Sequence, residues 1–174
     1  ISEEDALKFV TLNPAKLLHL DDRVGSLKVG KDADVVLWSD HPLSIYAKAE
    51  KTIIEGVTYF DLARDIQMRE AIKKEKSELI NLMLQENSVL FMLCITIGFA
   101  QQTPAPKQTK DFAIVGATAH IGNGTIIENS IIIVSNGKIT TIRPEGSTPI
   151  TRQVIDIIDA KGKHVYPGFI VSNG

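Results

Sequence analysis

Four histidines and two closely spaced aspartates are the first residues to test for chemistry. His19, His41, His120 and His164 each stand alone in the chain. No two of them make a His-x-His, a His-Glu-x-x-His or a His pair three to five residues apart, the spacings that bring two imidazoles onto one metal. Each is therefore expected to be a surface or turn residue rather than a ligand. Asp32 and Asp34 would share one face of an extended segment, as paired carboxylates for acid–base work or metal binding must. Ala33-Asp34, however, leads straight into Val35-Val36-Leu37-Trp38, which has the character of a buried strand. A structural role in a turn is the expectation for both carboxylates.

The remaining candidates carry less. Ser26 and Ser172 have glycines nearby but no Gly-x-Ser-x-Gly frame. Gly25 and Gly30 belong to neither of the glycine-rich phosphate-binding patterns; two tight turns at positive φ, flanking a short strand, are expected instead. The single cysteine, Cys94, excludes an intrachain disulfide and a multi-cysteine metal site. It lies in an apolar run and reads as a small hydrophobe. From its own residues the chain offers no catalytic, cofactor-binding or metal-ligating set.

The elements that would position such residues follow from patterning. Ser2 is placed to cap a short helix whose apolar face is Ala6, Leu7, Phe9 and Val10. Pro14 suits the first turn of a second short helix through Leu18. Thr52 to Tyr59 reads as two strands about a Glu55-Gly56 turn. From Leu62 to about Leu84 the period becomes helical, with opposite charges at i, i+3 and i, i+4. After Lys110 short strands return: Phe112 to Val115, which Thr118 to His120 can continue, then Ser130 to Val134, Ile139 to Ile142, Gln153 to Asp159 and His164 to Tyr166. Asn136-Gly137 between two apolar runs is a strong hairpin signal. The fold class expected is mainly β with helices: a composite antiparallel β-sandwich with short N-terminal helices and one long central helix, and no (β/α)8 barrel. The segments run 1–60, 61–87, 88–102, 103–110 and 111–174.

Between the helix and the later strands lies Ser88 to Gln102. Twelve apolar or small residues run from Val89 to Ala100 without a charge. About 20 apolar residues are needed to cross a bilayer, so this run is too short. It matches the apolar core of a secretory signal peptide, with Gly98 and Ala100 spaced as a signal peptidase prefers and Lys73, Lys74 and Lys76 upstream. A buried helix is the other reading. Thr103 to Lys110 has the composition of an exposed linker. The 174 residues suffice for one domain or slightly more. At 44% hydrophobic and 23% charged the composition is that of a folded protein, and a net charge of −2 leaves no basic footprint for nucleic acid.

Two stretches carry a family resemblance. Thr11-Leu12-Asn13-Pro14-Ala15, followed by Gly25-Ser26-Leu27-Lys28-Val29-Gly30-Lys31-Asp32-Ala33-Asp34, resembles the C-terminal end of the amidohydrolase superfamily, near its imidazolonepropionase-like and prolidase-like branches. That likeness covers roughly residues 3–60. Ala113 to Thr118, Gly122-Asn123-Gly124, Asn136-Gly137-Lys138-Ile139 and Ile158 to Ile170 resemble the N-terminal start of the same superfamily, over roughly residues 111–170. The order is reversed relative to a whole member, in which a metal-binding barrel lies between the two ends.

The resemblance implies a small β domain built from both ends and a barrel that hydrolyses C–N bonds of cyclic amides or dipeptides. There, metal-activated water attacks the carbonyl while an aspartate moves the proton. It implies zinc or another divalent metal in that barrel, and none held by this chain. In many members Pro-Gly-Phe-Ile leads into Asp-x-His-x-His; here Asn173 occupies the place of the first histidine. The expectation is a junction of two tandem paralogues, a piece of something longer, with a leader now internal. Its partner would be the parent's barrel, with no nucleic acid and a transient membrane contact through Ser88–Ala100. It would be exported, periplasmic or associated with the cell envelope. A stand-alone secreted or membrane-tethered interaction module is the alternative.

Overall fold

A computed structural model describes residues 2–85, 108, 110–146 and 156–170. The apolar run at 88–102 with Cys94, most of the linker, residues 153–155 and the tail carrying Ser172 and Asn173 lie outside the described residues. Among the described residues, no helix is long and apolar enough to cross a membrane. The chain divides into two compact units, Ile1–Asp61 with Pro106–Gly174, and Leu62–Ala105.

In the second unit, α3 (Leu62–Gln85) is exposed along almost its whole length. Pairs one turn apart support it: Arg69 Nε meets Asp65 Oδ2 at 2.7 Å, and Lys74 and Glu78 approach to 3.9 Å. Exposed i, i+4 pairs contribute only about 0.3–0.5 kcal/mol each.

The first unit opens with α1 (Glu3–Lys8) and α2 (Leu12–Leu17). Ser2 Oγ accepts the Asp5 N–H at 3.1 Å and donates to the Asp5 carboxylate at 2.7 Å, so the cap forms where expected. Gly25 and Gly30 both have positive φ, 81° and 92°. No strand forms between them. Instead Leu27 is buried and its N–H reaches Ile121 O at 2.9 Å.

The strands are β1 (Val35–Trp38), β2 (Ala49–Ile54), β3 (Val57–Asp61), β4 (Phe112–His120), β5 (Ile126–Ser135), β6 (Lys138–Pro144), β7 (Asp156–Asp159) and β8 (His164–Pro167). They form one sheet in the order β3-β2-β1-β8-β4-β5-β6, with β7 also on β4. The two stretches of the chain meet at β1 and β8, antiparallel, with Val36 opposite Tyr166 and Leu37 opposite Val165. This is the composite pairing expected. The sheet is mixed rather than purely antiparallel: β7 and β8 both run parallel to β4. β5 holds one edge of β4, and β7 and β8 lie along the other. A second tie links the two stretches. Ala33 N–H donates to Gly137 O at 2.8 Å and Ile139 N–H to Lys31 O at 2.9 Å, so the segment entering β1 also touches the start of β6.

The core lies on one face of this sheet. Val35, Leu37 and Ile53 from the first stretch pack with Ile114, Ile132 and Val165 from the second. Alternation along a strand sends neighbouring residues to opposite faces. Val36, Trp38, His164 and Tyr166 therefore occupy the face away from this core.

β4 reaches that second face through a bulge. Phe112 and Ile114 point into the core, and strict alternation would send His120 there too. At Gly116 the pairing with β5 shifts, φ is +84°, and a Cβ would stand 2.6 Å from Lys161 Cγ. The extra residue reverses the phase. Ala117 and Ala119 enter the core, and His120 turns to the other side.

Candidate functional site

On that second face the chain gathers an unexpected set of side chains. His120 ends β4, His164 opens β8, and Tyr166 follows two residues later on the same side. Parallel pairing of β4 with β8 sets Ala119 beside Val165, so His120 falls next to Tyr166. Their rings stack with centroids 4.0 Å apart and planes 10° apart. His41 comes from the loop between β1 and β2; its ring meets His120 edge-on at 5.7 Å and Tyr166 at the same separation. Glu4 comes from α1.

The polar contacts form a directed chain. Glu4 Oε1 lies 2.5 Å from His120 Nδ1, and His120 Nε2 lies 2.9 Å from His164 Nδ1. With His120 neutral, the carboxylate holds the ring proton on Nδ1, and Nε2 accepts from the His164 Nδ1–H. The His120 side chain is 4% exposed and that of Glu4 14%. Burial depresses the His120 pKa below its ordinary value, and this outweighs the upward pull of Glu4; His164 and His41 lower it further. His164 is lowered first by its own burial, then by His41. The Tyr166 hydroxyl is pushed well up by burial, with Glu4 and Glu3 adding to the effect. These are neutral rings with lone pairs at ordinary pH.

Several buried polar atoms on this face have no hydrogen-bond partner: His41 Nε2, Tyr166 Oη and Trp38 Nε1. Buried polar groups are nearly always paired, so three together mark a place with an unmet demand. Glu3 Oε2 is 3.6 Å from His41 Nε2, beyond hydrogen-bond reach. Glu4, His41 and His120 each present one ligand atom, and the three atoms all lie within 4.8 Å of one another.

The expectation that every histidine is a surface or turn residue is corrected for His120, which is buried, and for His164, which is half-buried on β8, while His41 lies in a turn as expected. His41, His120 and His164 converge because strand register and a loop bring together positions 41, 120 and 164, which no local spacing links. His19 behaves as expected: it is exposed at a positive φ of 55° and takes no part. One fragment of the cluster was within reach of sequence reasoning, since His164 and Tyr166 at i, i+2 on a strand must share a face.

The two aspartates take structural positions. Asp32 accepts from Arg23 Nη2 at 2.7 Å and from Lys138 Nζ at 2.9 Å, tying the start of the chain to β6. Burial works to raise its pKa, but these two cations outweigh it and hold the carboxyl below the ordinary range. Asp34 Oδ1 accepts the Glu55 N–H at 2.8 Å and supports the β2–β3 turn. Burial pushes Asp34 up, partly offset by that bond. Ser26 Oγ accepts from Lys31 Nζ at 2.7 Å, and the same ammonium donates to the Val24 carbonyl at 3.0 Å. Burial lowers the Lys31 pKa.

The sequence model of the amidohydrolase family matches residues 1–94, more than half of the chain. This chain belongs to the amidohydrolase family. Among curated relatives of the amidohydrolase-family chain, the amidohydrolase tasK of Hapsidospora irregularis is 41% identical over 56 residues, 32% of this chain and 6% of that protein. The imidazolonepropionase of Shewanella baltica (strain OS185) is 58% identical over 38 residues, 22% of this chain and 9% of that protein. That of Shewanella oneidensis is 54% identical over 39 residues, 22% and 10% respectively. The chain therefore spans no more than a tenth of these relatives' length. No solved structure matches it.

The cluster is not the barrel metal site that the resemblance implies. The family's histidines are one residue apart on a barrel strand, whereas Glu4, His41 and His120 come from a helix, a loop and the end of a sheet strand.

Proposed function

We propose that this amidohydrolase-family chain supplies the β domain that accompanies a catalytic barrel, and that it does not itself hydrolyse amides. One observation carries the reading. β1, from the stretch resembling the family's C-terminal end, pairs residue for residue with β8, from the stretch resembling its N-terminal start. A domain assembled from the two ends of a chain is what a barrel lying between those ends requires.

A second observation agrees. Phe9 is 62% and Phe169 42% exposed, and the segments that carry them are joined, because Ile170 N–H donates to Val10 O at 2.8 Å. Leu17 of α2 is 75% exposed. Exposed apolar side chains such as these are the residues a barrel would cover. The barrel is accordingly the proposed partner, and the parent's reaction is hydrolysis of C–N bonds. Arg23, Lys31 and Asp32 tie segments of the β domain together.

The test is a hydrolysis screen on the purified chain. Cyclic amides and dipeptides are offered with and without added zinc, and product is measured. No turnover above the protein-free rate is expected. Turnover that co-purifies with the chain would overturn the reading.

A further inference from the structure

We propose that Glu4, His41 and His120 form a binding site for a divalent cation of the zinc class, on the face of the composite sheet opposite its apolar core and separate from any barrel metal. The donor set specifies the class. Two imidazoles and one carboxylate suit zinc and its late first-row neighbours, whereas magnesium and calcium take oxygen ligands.

The geometry is near what such an ion needs. At metal–ligand distances of about 2.0–2.2 Å, tetrahedral ligand atoms stand roughly 3.3–3.5 Å apart. The three atoms here lie within 4.8 Å of one another, so side-chain adjustment alone closes the site. His41 Nε2 is buried and makes no hydrogen bond. In the His41 tautomer whose Nδ1 accepts the Leu43 N–H at 3.3 Å, Nε2 carries the ring proton; a cation at Nε2 moves that proton to Nδ1 and replaces this long contact. On His120 the cation takes the Nδ1 lone pair and the ring proton moves to Nε2, which then donates to His164 Nδ1, with the His164 proton on its other nitrogen.

The surroundings are those of a supported ligand. A metal-bound histidine is usually held by a partner on its other nitrogen or by packing on its ring. His120 has both: His164 Nδ1 stands 2.9 Å from its Nε2, and Tyr166 stacks on its face at 4.0 Å. The bulge at Gly116 turns this imidazole away from the core. Three protein ligands leave a fourth position for water. The site would clamp α1 and the β1–β2 loop, from the first stretch, onto β4 from the second.

The experiment uses the full chain, stripped with chelator and dialysed. Cobalt(II) is titrated in while visible absorption is followed, and zinc is then used to displace it. One equivalent of cobalt should bind, with the d–d bands of a low-coordinate site, and one equivalent of zinc should remove it. Glu4→Gln and His41→Gln should each weaken binding at least tenfold, and His19→Gln should leave it unchanged. Zinc should raise the unfolding midpoint of the wild type and not that of the two ligand variants. Absence of stoichiometric binding would overturn the site, as would equal binding by wild type and both ligand variants. If one variant fails to fold, the other decides. Hydrolysis is not a readout here, so this outcome and that of the amide screen are independent.

Discussion

At the residue scale, the two aspartates differ only in what surrounds them. Asp34 is raised above its ordinary 3.8 by burial. Folded protein then holds the Asp34 proton more tightly than unfolded chain does. That stability is fully present below the ordinary value and is lost as pH rises through the raised one. Asp32 runs the other way. Its cationic partners outweigh burial and keep it below 3.8, so its contribution is present above the ordinary value and is lost as pH falls through the depressed one. Asp34→Asn keeps an oxygen for the Glu55 N–H. It should flatten the decline in stability just above the carboxylate range, while Asp32→Asn should remove part of the acid-side loss. Urea denaturation from about pH 3 to 7 reads both; an Asp34→Asn profile identical to wild type would contradict the assignment.

At the element scale, the bulge in β4 decides which face His120 joins. Gly116 holds φ +84°, a region where a side chain is strained. Gly116→Ala is expected to cost roughly 1–3 kcal/mol, read as a lower denaturation midpoint. His120 Hε1 and Tyr166 ring signals should shift with it, because loss of the bulge moves the stacked pair. A variant that loses stability without disturbing those signals would show that the bulge does not aim the ring. The element itself was legible only in part. Thr118 to His120 can be read as a continuation of Phe112 to Val115, but the Gly-Ala between them gave no sign that the phase reverses there. The hairpin at Asn136-Gly137 was fully legible, and both residues have positive φ, 51° and 76°. The helix α3 was legible too, since charge pairs at i, i+4 depend only on local sequence.

At the scale of the whole molecule, the composite sheet makes the two stretches one cooperative body. Leu37 from the first packs in the same core as Ile114 and Val165 from the second. Leu37→Ala should cost about 2–5 kcal/mol. Hydrogen exchange should report the loss in β4 and β5 as well as in β1 and β2, because strands sharing a core open together. Weakened protection confined to β1–β3 would mean that the two stretches fold separately.

What the sequence determined by itself is whatever short-range physics controls: the Ser2 cap, the glycine turns at 25 and 30, the β2–β3 and β5–β6 hairpins, the long charged helix and the family motifs between Thr11 and Asp34. Those motifs also foretold that the two stretches would share one β domain. Only the tertiary structure decided the mixed character of the sheet, since strand direction against β4 is a long-range pairing that no local window holds. It alone decided the histidine cluster. Glu4, His41, His120 and His164 are far apart in the chain, and each reads as a bland residue in its own window. Their meeting depends on the register of β8 against β1 and β4 and on one extra residue at Gly116. A shift of a single position in either would send the rings to the opposite face.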